Sequence, residues 1–294
     1  KPLFGLFEIC KNKKIVVVGD VKELGELSEN THRQIGKNLA NHDIQKVIFF
    51  GSEMKYAYEE YKNIKTGGKH FEDRFAMQDY IESIIKEGDL ILFKGSHGMH
   101  LVDSIDMIFG TNMSDLANIG EADYKIKQDK EYEYYKFPCQ NSIYKYIGNN
   151  KIINIPTELD GLYVTKLWAE LFKNNKTIEK IVLPEHISII KPETFENSSI
   201  KQVHFNNRLK GICIKAFYKC NNLKEIKLPD SLIYIEYLAF ANCNNLTKVY
   251  IPKTVQKINK YTFKDSPNVV IYTNKNSYAH KFAKENNINV KIIK

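Results

Sequence analysis

The sequence predicts two folds in tandem: a doubly wound, Rossmann-like α/β domain, then a solenoid whose repeats each supply a short β-strand and a turn or short helix. Three observations predict this. Three runs in the first hundred residues are apolar throughout and end at or just before a glycine; helical patterns lie between them; and from Ile178 onward one short pattern returns every 22 or 23 residues. Continuous β-branched and aromatic runs fit strands buried on both faces of a parallel sheet, and a short fixed period fits stacked units.

The α/β elements come first. The strands are Lys14-Ile15-Val16-Val17-Val18, Lys46-Val47-Ile48-Phe49-Phe50 and Asp89-Leu90-Ile91-Leu92-Phe93, closed by Gly19, Gly51 and Gly95. A helix is expected over 29–41, with Ile35 and Leu39 on one face and Ser28 as its N-cap. A second is expected over 73–86, carrying Phe75, Tyr80, Ile84 and Ile85 inward, and a third over Met99–Ile108. In such sheets ligands sit outside the carboxyl ends of the strands, where the glycines fall. One of these ends, Lys94-Gly95-Ser96-His97-Gly98-Met99, leads from a strand into a helix, so amides and a lysine could meet an anion there. Lys65-Thr66-Gly67-Gly68-Lys69-His70 lacks the spacing and hydroxyl residue of a phosphate-binding loop. His97 and His100 have no third ligand nearby, so no metal site is expected.

Residues 111–127 have no clear period and are assigned to a linker between a domain at 1–110 and another at 128–294. Tyr132–Phe137 and Ser142–Ile147 alternate strongly and predict a hairpin over the first edge of the solenoid. The repeat then opens at Ile178, Ile200, Leu223 and Leu246, typified by Leu223-Lys224-Glu225-Ile226-Lys227-Leu228-Pro229. An apolar pair follows (Leu209/Ile212, Leu232/Ile235, Val255/Ile258), then a small residue and Phe at 195, 217, 240 and 263. Asn206 stands where other rungs have proline, and Leu159–Tyr163 lengthens the first unit. One unit cannot bury its own inner face, so neighbours must stack. Residues 277–283 and 289–293 predict a capping helix and strand. Outward positions Lys180, Gln202, His204, Lys227, Lys248 and Tyr250 form a candidate row for a protein or glycan along the concave sheet.

Charge separates the two parts. Residues 1–110 carry 15 Lys+Arg against 17 Asp+Glu and residues 111–294 carry 28 against 18, so the net +8 belongs to the repeats. That allows polyanion binding as a weaker reading, and nucleic acid is not the expected partner. Five cysteines at unrelated spacings argue against a disulfide framework, and Cys220 and Cys243 recur at one repeat position, as small core residues do. No apolar run reaches the roughly 18 residues of a membrane helix. The chain opens on Lys1-Pro2, so further sequence is expected upstream.

Two resemblances sharpen this. The Leu-Pro, Ala-Phe and Cys-Asn-Asn-Leu pattern resembles BspA-like leucine-rich repeats over about residues 128–294. Val18-Gly19-Asp20-Val21-Lys22-Glu23-Leu24-Gly25-Glu26-Leu27-Ser28, with His32, Gly36 and the later Lys94-Gly95-Ser96-His97-Gly98-Met99, resembles the C-terminal domain of Mur ligases over about residues 1–110. That resemblance implies a domain that closes over ATP and Mg in an amide ligase and helps place the incoming amine. Closure of this kind works by proximity and exclusion of water. Carried over, Lys94, Gly95, Ser96 and His97 would sit near a peptidoglycan-precursor acceptor, with Asp20 and Glu23 on the same rim. His97 replaces the family's usual arginine, a fixed charge, with a group that titrates near neutrality.

The central ATPase domain is absent from this stretch, so it is not expected to ligate alone or to bind ATP tightly. The leading expectation is a cytoplasmic ligase fragment with an appended interaction module. The alternative is a non-enzymatic repeat protein, at the cell surface if a leader precedes it.

Overall fold

The computed structural model describes residues 12–86, 88–96, 99, 101–109, 124–137 and 140–293. The chain divides into two compact units, Lys1–Ile108 and Phe109–Lys294.

The front unit alternates strands and helices: β1 Lys14–Gly19, α1 Ser28–Ala40, β2 Lys46–Phe50, α2 Met54–Ile64, β3 Gly68–Phe71, α3 Arg74–Ile84, β4 Leu90–Lys94 and α4 Leu101–Phe109. The strands pair in parallel in the order β3-β2-β1-β4. Alternation along β1 and β2 sends Val16, Val18, Val47 and Phe49 to one core with Leu39, Ala57 and Tyr61. It sends Ile15, Val17, Ile48 and Phe50 to the opposite core with Met77, Ile81 and Ile108. Helices therefore cover both faces. Gly36 lets α1 approach α2, since a Cβ there would lie 2.0 Å from the Ala57 carbonyl oxygen.

Several expectations change. Strand β4 is only half-buried, because among the described residues it is the sheet's edge rather than an inner strand. Leu27, not Ser28, is the N-cap of α1, and no side chain caps it; the Ser28 hydroxyl donates instead to Glu53 Oε2 at 2.8 Å. Helix α3 is capped by Asp73, which accepts from Ala76 N–H at 2.7 Å, and it buries Met77 and Ile81 while Phe75 stays half-buried. Helix α2 and strand β3 had no counterpart in the sequence reading.

The second unit begins with β5 Lys125–Gln128, β6 Tyr132–Lys136 and β7 Asn141–Tyr146. Strand β5 opens inside the stretch assigned to a linker; residues 111–123 lie outside the described residues. β5, β6 and β7 are antiparallel neighbours. Tyr132, Tyr134 and Ile143 from this hairpin enter the repeat core, and Tyr146 packs on Phe172 with ring centres 5.5 Å apart. After β8 Ile152–Asn154, the lengthened first unit is a second hairpin, β9 Glu158–Leu159 and β10 Leu162–Leu167. Asp160 and Gly161 both have positive φ, 48° and 76°, as the favoured two-residue hairpin turn requires.

The repeats supply β11 Lys180–Val182, β12 Ile189–Ile190, β13 Gln202–His204, β14 Gly211–Ile212, β15 Glu225–Lys227, β16 Tyr234–Ile235, β17 Lys248–Tyr250, β18 Lys257–Ile258 and β19 Val270–Asn274. Helix α5 Tyr278–Glu285, capped by Ser277, and β20 Asn289–Ile293 follow. Short strands pair in parallel as β12-β14-β16-β18. The outward strands form two parallel groups, β8-β11-β13 and β15-β17-β19-β20.

Inside the repeats, Phe172, Phe195, Phe217, Phe240 and Phe263 stack face to face at successive centre distances of 5.5, 5.0, 5.1 and 5.8 Å. Cys220, Cys243 and Ser266, at one repeat position, donate to the carbonyls of Phe195, Phe217 and Phe240 at 3.0, 3.1 and 2.8 Å. A hydroxyl does the same work as a thiol there, so the position wants a small buried donor. Burial pushes the Cys220 thiol up to about 12 and raises that of Cys243. Among the described residues no helix is long and apolar enough to cross a membrane.

Two outcomes follow. Phe217→Ala leaves a void between two stacked rings and should cost about 3–5 kcal/mol in urea unfolding; a loss below about 1 kcal/mol would show that the column is not close-packed. Cys220 and Cys243 should resist iodoacetamide at pH 9 in the native state and label fully in urea, read by peptide mass mapping. Because their folded pKa values lie above the unfolded ones, the stability they add is complete below about pH 8.5 and is lost as pH rises toward 12.

Candidate functional site

In the front unit, the strand order places the topological switch between β1 and β4, where a ligand crevice is expected in open α/β sheets. The two strand ends there are Gly19-Asp20 and Lys94-Gly95-Ser96. Ser96 N–H donates to the Asp20 carbonyl at 3.2 Å, and Lys22 N–H donates to Ser96 Oγ at 2.9 Å. Five of the six sequence-selected rim residues therefore belong to two linked loops; His97 lies outside the described residues.

The side chains differ in what they offer. The Asp20 carboxylate is 1% exposed, accepts from Met54 N–H at 2.9 Å and pairs with Lys22 Nζ at 3.3 Å. It thus fills the N-terminal end of α2, where free amides and the helix dipole would otherwise attract an external anion. Gly51 lies against it: φ is +116° and an added Cβ would sit 2.4 Å from the carboxylate, so only glycine fits. Glu23 is exposed in a left-handed conformation with φ of 67°. Lys94 is exposed at the end of β4, and Ser96, whose oxygen already accepts from Lys22, keeps its hydroxyl proton to donate.

Buried His32 supports this loop from below. Its Nε2 accepts from Val21 N–H at 3.1 Å and its Nδ1 donates to the Ser28 carbonyl at 2.7 Å, which fixes a neutral tautomer. Arg74, 6% exposed, donates to the Met99 carbonyl at 2.8 Å. Neither the bond from Val21 to His32 nor that from Arg74 to Met99 is announced in the sequence, because the partners lie eleven and twenty-five residues apart. Among the described residues no three His, Cys, Asp or Glu side chains converge to hold a metal ion.

The second candidate is the outward face of the repeats. Register puts Lys180 beside Gln202, Val182 beside His204, Glu225 beside Lys248 and Lys227 beside Tyr250. The six selected residues therefore lie on four neighbouring strands. Gln202, His204, Lys227 and Lys248 are exposed; Lys180 and Tyr250 are half-buried. Lys248 pairs with Glu225 at 3.4 Å, a bond that raises the lysine's pKa. Tyr250 stacks on Tyr272 at 4.6 Å with Lys291 over the second ring. Tyr272 and Lys291 extend the row and were missed, since β19 and β20 depart from the repeat pattern.

A groove of about 730 Å³ lies across this face, lined by residues from 201–207 and 224–230, including Gln202, His204 and Lys227. It sits where the two strand groups part, because no ladder joins β13 to β15.

These features have counterparts in known proteins. Residues 138–286 match the BspA type leucine rich repeat region in six copies, and residues 4–97 match the Mur ligase, glutamate ligase domain. The UDP-N-acetylmuramoyl-tripeptide–D-alanyl-D-alanine ligase of Bacillus subtilis is 30% identical over 104 residues, 35% of this chain and 23% of the ligase. The Haemophilus influenzae ligase of the same name is 36% identical over 100 residues, 31% of this chain and 20% of that protein. The chain thus spans less than a quarter of either relative. The leucine rich repeat protein of T. pallidum is 25% identical, covering 50% of this chain and 71% of that one, with a TM-score of 0.47. The repeat match takes in more than half the chain, which therefore belongs to the BspA-type leucine-rich-repeat proteins and carries a Mur ligase C-terminal domain at its front.

Proposed function

We propose that this chain joins the acceptor-side domain of an ATP-dependent amide ligase, acting on a peptidoglycan precursor in the cytoplasm, to a solenoid that docks a partner. The observation that carries the reading is the linked pair of loops at the switch between β1 and β4, in the domain that matches the ligases. There the exposed Lys94 ammonium would pair with the carboxylate of the incoming dipeptide, and the Ser96 hydroxyl would donate to it. Asp20, Gly51 and His32 would act beneath, holding the loop in one shape so that the two groups meet the acceptor without further ordering.

ATP and its magnesium ion would be held chiefly by other domains of the ligase, since Asp20 already fills the α2 N-terminus where a phosphate could otherwise sit. The phosphorylation of the substrate carboxylate would belong to other domains, and this chain's residues would serve the amine side alone.

A second reading has an observation of its own. The buried Asp20 and His32 are fully engaged in holding the loop, which is also what a scaffold requires, and the repeats make up most of the chain. In that case the protein is a binding module with an inherited front domain, working at the cell surface.

A split-enzyme assay separates the two. The B. subtilis ligase lacking its C-terminal domain, mixed with this chain, should regain D-alanyl-D-alanine-dependent ADP release. Lys94→Glu should then raise the acceptor KM about tenfold with a smaller change in kcat, as removal of a binding contact does. No recovery, where the ligase's own C-terminal domain supplied separately does restore turnover, would favour the binding module.

A further inference from the structure

One ladder in the repeats is open. In each neighbouring rung the residue after the outward strand donates to the next rung: Ile155 to Val182, Leu183 to His204, Leu228 to Tyr250 and Ile251 to Tyr272, at 2.9–3.1 Å. The equivalent bond from Phe205 N–H to the Lys227 carbonyl is missing among the described residues, as is the bond from Lys224 N–H to Lys201 that Thr247 and Val270 make in their rungs. On the other side of the same rungs nothing opens. Strands β14 and β16 pair, and Phe217 and Phe240 stack at 5.1 Å.

Asn206 accounts for the opening. Where rungs elsewhere carry Pro184, Pro229 or Pro252, the Asn206 amide donates back to the carbonyls of Pro184 and Ile187 at 2.6 and 2.9 Å. This ties β13 to the rung before it. Phe205 then fills the leucine position, with its ring edge toward Phe217 at 6.4 Å. Val203 and Phe205 are left half-buried, whereas their counterparts Ile181, Leu183, Ile226 and Leu228 are buried.

The groove thus has an apolar floor, two facing strand edges and an uneven rim of charge. Lys201 is neutralised by Glu179 at 2.8 Å and Glu225 by Lys248. Lys224 and Lys227 have no acidic partner among the described residues, and Asp230 at the far end is the remaining acid of the lining. Unpaired strand edges recruit extended chain. Two unpaired ammonium groups select its charge.

We propose that the open ladder between β13 and β15 is a docking groove for an extended acidic peptide, whose backbone bonds the freed strand edges as they spread further to admit it and whose carboxylates meet Lys224 and Lys227. Alternate side chains of the peptide lie on Val203 and Phe205. At about 3.3 Å per residue, each three-residue edge engages roughly three to five residues of the partner. A polyanionic glycan or nucleic acid would use the lysines but neither the strand edges nor the apolar floor. The inference deepens the docking role proposed for the repeats and rests on it.

The test uses the full chain and a labelled, end-blocked octapeptide alternating valine and aspartate, followed by fluorescence anisotropy. Binding should weaken about tenfold when alternate peptide amides are N-methylated, in one or both registers, since several hydrogen bonds are lost. Lys224→Glu with Lys227→Glu should weaken it by a similar factor and flatten its salt dependence. Asn206→Pro, which restores the residue of the other rungs, should close the ladder and weaken binding about tenfold, whereas Lys291→Glu outside the groove should change it less than twofold.

Equal affinity for the N-methylated peptide, or displacement by heparin that depends on the same lysines, overturns the proposal in favour of simple polyanion binding. Acidic-peptide binding that ignores residues 206, 224 and 227 but falls with Lys180→Glu or Lys291→Glu overturns the groove and leaves the docking role standing. If acidic, neutral and basic peptides all fail to bind, the docking role falls with it.

Discussion

Every rung in the second half of this protein depends on handing its backbone bonds and its phenyl ring to the rung after it. A unit of 22 or 23 residues cannot enclose a core, so its stability is almost wholly an interface term. The column of Phe172, Phe195, Phe217, Phe240 and Phe263 is that interface at its densest, with each ring buried against two others except at the ends. Cys220, Cys243 and Ser266 serve the same interface by satisfying the phenylalanine carbonyls beside the column, where an unmet acceptor would be costly. Side chains facing outward add only exposed ion pairs and stacking between rungs, such as Lys248 with Glu225 and Tyr250 on Tyr272, and these lysines and tyrosines give the face its chemistry.

The front unit solves a different problem. Its strand-end crevice must present a few groups outward while the loops beneath keep one shape. The solution is to spend buried polar groups on the loops: Asp20 on the α2 N-terminus, His32 on Val21 N–H, and Ser96 on Lys22 N–H. Each removes an unsatisfied amide and fixes a loop position at once. The exposed Lys94 and Glu23 are then left at the rim without a structural duty among the described residues, which is the arrangement a binding edge needs.

Most of the architecture was legible because it is periodic or runs as unbroken apolar stretches. Residues such as Ile226, Leu228, Ile235 and Phe240 repeat at fixed offsets, and β1 and β2 are runs that only a doubly covered strand can bury. What escaped has no such signature. Helix α2 turns Met54, Ala57 and Tyr61 inward from a segment rich in Tyr and Glu, and β3 is a four-residue strand, Gly-Lys-His-Phe, with a partner on one side only among the described residues. At the site, Asp20 and Glu23 were visible as motif residues, but their fates differ for reasons of position: one is buried under Gly51 and the other is turned outward by a left-handed backbone. The bond from His32 to Val21 spans eleven residues and exists only after α1 has packed, so no local pattern announces it.

The substitution of Asn206 for proline was plain in the sequence, yet its consequence was not, because it lies in the reach of an amide to the Pro184 and Ile187 carbonyls. The repeat tolerates the resulting gap because the two sides of a rung are mechanically separate. The short-strand sheet and the phenyl column carry the stacking across the break, so the outward ladder can part without dividing the core. The parted edges remain in contact with water, where their unpaired groups cost little. In a fold whose units are otherwise interchangeable, one rung with its own tether, a larger aromatic and an open edge is distinguished from every other. A local departure that the rest of the structure is built to absorb marks the place where specificity can be gained at least expense to stability.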